Sequence, residues 1–232
     1  VNEYAYTELL ALFGIGGAHP GGLELTKDIL TNYDLKDANV LEVGCGTGQT
    51  SAYLHARDAK LTAIDYHPLM VEKANKRFKE QQLKYHALQM NIEETNLASS
   101  SFDFVIAESV LSFTNLQKSL SEIVRLLKAN GKLVAVEMTK KKSLPLLLEI
   151  NMKKFYGLPQ ILSKQEWMEA VEKSGFQHVQ IQTISLVDID PSEPDIDPSL
   201  DIGNEYFAMM EEHENLTAAS RPYIEVSLIT AY

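Results

Sequence analysis

Several classes of protein are excluded by what this chain has little of. It carries one cysteine, Cys45, in 232 residues, so an internal disulfide and a zinc site built from several thiolates are both impossible, and a reducing compartment is expected. Basic residues are few: 21 Lys and Arg stand against 32 Asp and Glu, a formal net charge of −11. A field of that sign repels phosphodiester backbones and anionic bilayers, so neither nucleic acid nor a membrane is an expected partner. The one basic run, Lys140-Lys141-Lys142, is short enough to be a solvated turn. Apolar runs such as Leu144 to Ile150 are far too short to cross a bilayer. No leader-like stretch, internal repeat or low-complexity tract is evident, and a soluble cytoplasmic protein is the expectation.

What is present is an ordinary globular composition, 45% hydrophobic and 23% charged, at a length that suits one core with an elaboration. From Val40 to Val136 short β-type runs alternate with amphipathic stretches, as in a parallel sheet with crossover helices. The runs are Val40–Val43, Leu61–Ile64, Tyr85–Gln89, Phe102–Ala107 and Lys132–Glu137, with helices expected over Gln49–Ala56, Pro68–Gln81 and Leu116–Lys128. Pro68 suits a first helical turn, where its missing N–H is not needed, and Asn130-Gly131 reads as a helix stop.

Residues 1–38 read as helix, glycine-rich loop and helix, with Gly14, Gly16, Gly17, Gly21 and Gly22 around His19-Pro20. Downstream, helices are expected over Leu144–Gly157, Lys164–Ser174 and Gly203–Asn215, and strands over Gln177–Val187 and Tyr223–Thr230. The acidic, proline-containing stretch Asp188–Asp201 reads as a surface loop whose charge serves solvation.

The most informative segment is Val40-Leu41-Glu42-Val43-Gly44-Cys45-Gly46-Thr47-Gly48, an apolar strand leading into glycines at alternate positions. Such glycines allow positive φ and close backbone approach to a ligand, and the helix that follows offers free N–H groups. The position three after Gly46 is Gln49, which departs from the G-x-G-x-x-G spacing of dinucleotide sites. Glu42 would oppose a pyrophosphate but can pair with an ammonium. Asp65, at the end of the second strand, stands where a carboxylate can accept from both hydroxyls of a ribose. Asn91, just past the third strand, can both donate to and accept from an adenine edge, although alone it would read as a turn residue.

Together these residues resemble the class I S-adenosylmethionine-dependent methyltransferases, Glu42–Gly48 matching the first motif and Asp65 the acidic second motif. Phe102–Leu111 is similar to the fourth-strand motif of the small-molecule branch, and Ile123–Val136 to its helix, turn and fifth strand. Many relatives have Asp where this chain has Asn91. The resemblance implies an α/β Rossmann-like three-layer sandwich. Its seven-stranded, mostly parallel sheet should run in the order 3-2-1-4-5-7-6, with the last strand antiparallel. Residues 1–38 would form an N-terminal helical lid and 39–232 the methyltransferase domain, with insertions near 143–163 and 188–220. It also implies S-adenosylmethionine as cofactor, held by Glu42, Gly44, Cys45, Gly46, Gly48, Asp65, Tyr66, Met70, Asn91, Ile92 and Glu108.

Methyl transfer from a sulfonium requires alignment and exclusion of water, plus a base where the acceptor carries a proton. Glu108, at the carboxyl edge of the sheet, is the first candidate for base or acceptor-positioning group; the other reading is a helix cap or a partner for a lysine. His19 is the second, either facing the acceptor from a closing loop or lying exposed in a flexible hinge. Tyr4 and Tyr6 either line that pocket or anchor the terminus. Phe155, Tyr156 and Trp167 fall where the family usually builds its acceptor pocket, Trp167 reading better as core. His213, within Glu211-Glu212-His213-Glu214, matches no metal-ligand spacing and reads as a solvated helix face; no metal is expected. The expectation is therefore methylation of an O, N or C nucleophile on a small molecule. A noncatalytic protein that binds S-adenosylmethionine or S-adenosylhomocysteine as sensor or partner subunit is the alternative. Monomer and homodimer are both open.

Overall fold

The computed structural model describes residues 5–186 and 195–232. Seven strands, β1 (Asn39–Val43), β2 (Lys60–Asp65), β3 (Ala87–Gln89), β4 (Phe102–Glu108), β5 (Leu127–Lys140), β6 (Val179–Ile184) and β7 (Ile224–Ala231), form one sheet. Their order is 3-2-1-4-5-7-6, as the motifs imply. β1 to β5 are parallel, while β7 runs antiparallel to both β5 and β6. The helices are α1 (Ala5–Phe13), α2 (Gly22–Leu30), α3 (Gln49–Ala56), α4 (Pro68–Glu80), α5 (Leu116–Leu126), α6 (Leu146–Tyr156), α7 (Lys164–Lys173) and α8 (Asn204–Ser220).

Alternation along the strands divides the core in two, because successive side chains of a strand point to opposite faces. Leu41, Val43, Val105, Ala107, Leu133 and Ala135 pack with α5 and with Trp167 and Val171 of α7. Val40, Leu61, Ala63, Ile106 and Val134 pack with Leu25 and Ile29 of α2, Leu54 of α3, and Ala74 and Phe78 of α4. α5 shows why such a helix forms: Leu116, Leu120, Ile123 and the terminal Leu126 are all buried, a 3.6-residue stripe. Its N-cap Asn115 accepts from the Lys118 N–H at 3.2 Å. α7 starts with a capping box between Ser163 and Glu166. A third cluster joins Tyr6 and Leu9 of α1 to Met152, Phe155 and Tyr156 of α6, with Tyr206 and Met210 of α8 against it.

Several element ends differ from the sequence reading. β3 is confined to Ala87–Gln89, because Tyr85 turns away to donate its hydroxyl to the Ala59 carbonyl at 2.9 Å. α5 stops at Leu126 rather than at Asn130-Gly131: Leu127 is already extended and pairs with Phe102, and the next pairing is Phe104 with Lys132. Residues 128–131 bulge between those pairings, so tightly that a Cβ on Gly131 would lie 2.9 Å from the Phe102 carbonyl oxygen. α8 continues to Ser220, and β6 covers only Val179–Ile184. The basic run is not simply solvated, since Lys140 pairs with Glu149 at 3.0 Å and Lys141 lies 3.9 Å from Glu225.

The largest departure concerns the acidic loop, of which 188–194 lie outside the described residues. From Asp195 onward its charge is not spent on solvation. Asp195 pairs with Arg77 at 2.6 Å, and Arg77 Nε donates to the Thr47 carbonyl at 2.7 Å. Asp197 pairs with Lys76 at 2.8 Å, and its carbonyl accepts from Lys73. The backbone is tied too: the Gly16 N–H donates to the Asp195 carbonyl at 2.8 Å, Asp197 N–H to Gly14 at 3.0 Å and Ser199 N–H to Leu12 at 2.7 Å. Residues 195–199 thus strap the glycine-rich loop to α4. Only glycine fits where they cross, because Gly14 has φ +61° and a Cβ there would lie 2.1 Å from the Asp197 carbonyl oxygen. Gly14→Ala should therefore lower stability by at least ~1 kcal/mol. It should also speed amide hydrogen exchange at Gly16, Asp197 and Ser199 without touching the Gly46 amide; unchanged protection at those three would refute the strap.

Candidate active site

The carboxyl ends of the parallel strands open into a cavity of about 1460 Å³. Its floor is the glycine turn, with φ of +69° at Gly44, +53° at Gly46 and +79° at Gly48. The N–H groups of Gly44 and Cys45 both donate to the Ile64 carbonyl, at 2.8 and 3.0 Å, which fixes the turn against β2. A Cβ on Gly44 would strike Val110 at 2.3 Å, whereas one on Gly46 would meet nothing within 4 Å. Gly46 therefore presents bare backbone to open space, as a turn that receives a ligand must.

Three carboxylates converge on this turn. Glu42 is buried and accepts from the Ser51 hydroxyl of α3. Burial pushes its pKa up to about 8, the charges of Glu108 and Asp65 add to that, and Ser51 opposes it. Asp65 accepts from the Gly46 N–H and the His67 N–H, each at 2.8 Å; burial still raises its pKa against those bonds. Glu108 accepts from Thr26 of α2 at 2.5 Å and from Thr50 of α3 at 2.9 Å. Burial also raises the Cys45 thiol, which lines the cavity.

His19 is buried beside Glu108, not exposed in a hinge: its Nε2 lies 3.2 Å from Thr26 Oγ1 and 3.6 Å from Glu108 Oε1. Thr26 has one hydroxyl hydrogen, and the 2.5 Å contact assigns it to Glu108. His19 Nε2 is then the donor to Thr26, which in the neutral ring leaves the lone pair on Nδ1. That Nδ1 is buried and has no hydrogen-bond partner, on a side chain that lines the cavity.

Met70 and Ile92 are buried in the cavity wall, and Tyr66 lines it from an exposed position. Asn91 also lines it, but its Oδ1 is engaged in a local turn, accepting from the Glu93 N–H at 2.9 Å. α1 reaches this side through Glu8, whose carboxylate meets His67 Nε2 at 2.9 Å.

The other end of the cavity is aromatic. Tyr6 stacks on Phe113 at 6.3 Å and meets Tyr156 edge-on at 4.8 Å, with burial raising the Tyr6 pKa; Tyr4 lies outside the described residues. His213 is not on a solvated face. It lines the cavity with Nδ1 3.1 Å from the Tyr156 hydroxyl, and burial lowers its pKa. Trp167 is core, 1% exposed, and Phe155 packs against Tyr6, so Tyr156 alone of these three lines the cavity. Among the described residues no group of three or more His, Cys, Asp or Glu is placed to hold a metal ion.

The sequence reading missed Thr26, Thr50 and Glu137. Glu137, three residues before the end of β5, is 1% exposed; it accepts from the N–H groups of Val110 and Leu111 at 3.1 and 2.8 Å and from the Ser112 hydroxyl at 2.5 Å. It holds the turn after Glu108, where Ser109 has φ +55°. A carboxylate closing an apolar strand was the available signal. Thr26 and Thr50 gave none.

This geometry has known counterparts. A methyltransferase-domain family model matches residues 41–135. Over 230 residues the chain is 37% identical to the uncharacterised methyltransferase YodH of Bacillus subtilis, covering 98% of each. It is 38% identical to a malonyl-[acyl-carrier protein] O-methyltransferase of Acetivibrio thermocellus, but over 40% of this chain and 33% of that protein. In fold it is similar to the [4+2]-cyclase SpnF, with TM-score 0.71 at 19% identity over 98% of this chain and 93% of that one. It is similar also to Haemonchus contortus phosphoethanolamine N-methyltransferase 2 bound to S-adenosylhomocysteine, with TM-score 0.76 at 17% identity over 99% and 56%. The chain belongs to the class I S-adenosylmethionine-dependent methyltransferases. The site suits that cofactor, since Gly46 leaves room for it and the charges of Asp65 and Glu108 beside buried Glu42 favour a cation there.

Glu137 generates a pH-dependent prediction. Burial raises its pKa from 4.5 to about 7, so between those values the folded chain binds more protons than the unfolded one. Stability conferred below pH 4.5 is then lost as pH rises to about 7, by roughly 3 kcal/mol. Glu137→Gln should remove that loss, unfolding in denaturant like the wild type at pH 4.5 and less readily at pH 8. Glu137→Ala should cost ~1–3 kcal/mol at both for the donors left unpaired. Parallel pH curves for wild type and Gln variant would exclude this account.

Proposed function

We propose that this methyltransferase acts on a small molecule that enters the aromatic end of the cavity, with His19 as the base that takes the acceptor's proton. The observation that carries the proposal is the His19–Thr26–Glu108 chain, which leaves Nδ1 of His19, a side chain that lines the cavity, buried without a hydrogen-bond partner. A buried acceptor of that kind is costly unless a ligand satisfies it.

In this reading Glu42 meets the ammonium of the cofactor, Asp65 its ribose hydroxyls, and the backbone of Gly44 to Gly48 its carboxylate end. Cys45, Tyr66, Met70, Asn91 and Ile92 line the remainder. Bound S-adenosylmethionine supplies a methyl group on a positively charged sulfur, so the protein needs no acid for the leaving group. α1, the glycine-rich loop and the 195–199 strap act as a lid that excludes water. His19 Nδ1 receives the proton from the acceptor oxygen or nitrogen, and the imidazolium that forms is stabilised by Glu108 at 3.6 Å. Thr26 and Thr50 keep Glu108 in place, and Thr26 also fixes the tautomer of His19.

Labelled methyl transfer into an unfractionated Bacillus subtilis cell extract tests this reading. His19→Gln should lower the rate about 10²- to 10³-fold, with calorimetric affinity for S-adenosylmethionine and S-adenosylhomocysteine within a factor of about two of wild type. Asp65→Ala should weaken both ligands roughly 10- to 100-fold. A His19→Gln enzyme as fast as wild type would remove His19 from the chemistry, and label found only in macromolecules would remove the small acceptor.

A further inference from the structure

The charges that line the cavity are sorted by sign. Its carboxylates, Glu42, Asp65, Glu93 and Glu108, come from the ends of β1 and β2, the turn after β3 and the end of β4. Its lysine and arginine side chains, Lys153, Lys154 and Arg221, come from α6 and the C-terminus of α8. None of those three cations lies in an ion pair among the described residues, whereas Lys76 and Arg77 beside the strap are paired with Asp197 and Asp195. In a chain of net charge −11, such uncompensated cations on one wall of a cavity are conspicuous. Glu212 and Glu214 are exposed on α8 and do not line the cavity, Glu214 sharing a shallow outer cleft with Arg221. The wall also includes apolar and aromatic side chains, among them Tyr6, Leu9, Phe113, Met138, Met152 and Ile224.

We infer that the methyl acceptor is amphipathic and anionic: an apolar, ring-sized body held against Tyr6 and Phe113, carrying a carboxylate, sulfonate or phosphate that meets Lys153, Lys154 and Arg221. The acidic end receives a cationic cofactor and the basic end an anionic acceptor, so each ligand is repelled from the other's place. Lys154 and Arg221 are exposed and Lys153 is half-buried. The inference rests on the methyl-transfer reading for the acceptor's place.

A matched pair of fluorescent probes tests it on the protein saturated with S-adenosylhomocysteine. 8-Anilinonaphthalene-1-sulfonate and N-phenyl-1-naphthylamine share their rings and differ by the sulfonate. The sulfonate should bind at least about tenfold more tightly, and the gap should shrink in 0.5 M salt. Lys154→Gln/Arg221→Gln should weaken the sulfonate about five- to tenfold and leave the neutral probe unchanged. Equal affinities for the two probes, or a sulfonate affinity indifferent to the double variant, would overturn the anionic class. Titration of S-adenosylhomocysteine into the same preparations separates the two ideas. Retained binding with no sulfonate preference rejects the acceptor class alone, whereas lost cofactor binding in the wild type would reject the reading beneath it.

Discussion

The structure is organised around one electrostatic constraint: four of the central strands deliver carboxylates to one edge of the sheet. Parallel pairing sets Glu42 beside Ile106, and Glu108 beside Val136, so the side chains arrive at nearly the same height. The period of two then sorts them. Glu42, Asp65 and Glu108 share parity with Val40, Ala63 and Ile106 and face α2 and α3, whereas Glu137 shares parity with Leu133 and Ala135 and faces the other way. That is why Glu42 feels both Asp65 and Glu108, while the raised pKa of Glu137 comes from burial alone, opposed by its hydrogen bonds. The hydroxyls of Thr26, Thr50 and Ser51, and the backbone amides of Gly46 and His67, offset part of the cost on the first face. A cation offsets the rest, and the family's cofactor carries one on sulfur and one on nitrogen.

The cover over this edge is built from the same parts. The glycine-rich loop brings His19 and α2 down onto Glu108, so the loop and the carboxylate stabilise each other. Arg77 ties the strap at Asp195 to the backbone of the glycine turn at Thr47, and Glu8 ties α1 to His67, the residue whose amide holds Asp65. Glycine turn, α1 and strap are therefore mechanically joined through a few named contacts.

How much of this was legible in the sequence follows from how local each feature is. The glycine turn, Asp65 and the alternation of strands and helices are written in consecutive residues, and strand order came through with them. The ends of α5 and β3 were not, because a bulge at 128–131 and the Tyr85–Ala59 contact decide them. The pairing of Arg77 with Asp195 joins residues 118 apart, so a loop that reads as merely solvated is in fact a strap. His19 could be singled out by its glycine surroundings, but its burial depends on Thr26 and Glu108, which are brought to it only by the fold. Asn91 carries both readings at once, lining the cavity while closing a turn.

The division between shared and particular lies along the chain. The family match spans residues 41–135 and so leaves out α1, α6 and α8, and proteins of this fold include the cyclase SpnF as well as N- and C-methyltransferases. What residues 41–135 supply is a carboxylate-rich edge suited to one cationic ligand, a requirement that does not change with the acceptor. Outside that span, α1, α6 and α8 contribute the cavity wall where Tyr6, Tyr156 and His213 pack together. The resemblance to YodH extends over 98% of the chain and so includes that wall. The wall is accordingly common to this chain and YodH although the family motif does not reach it.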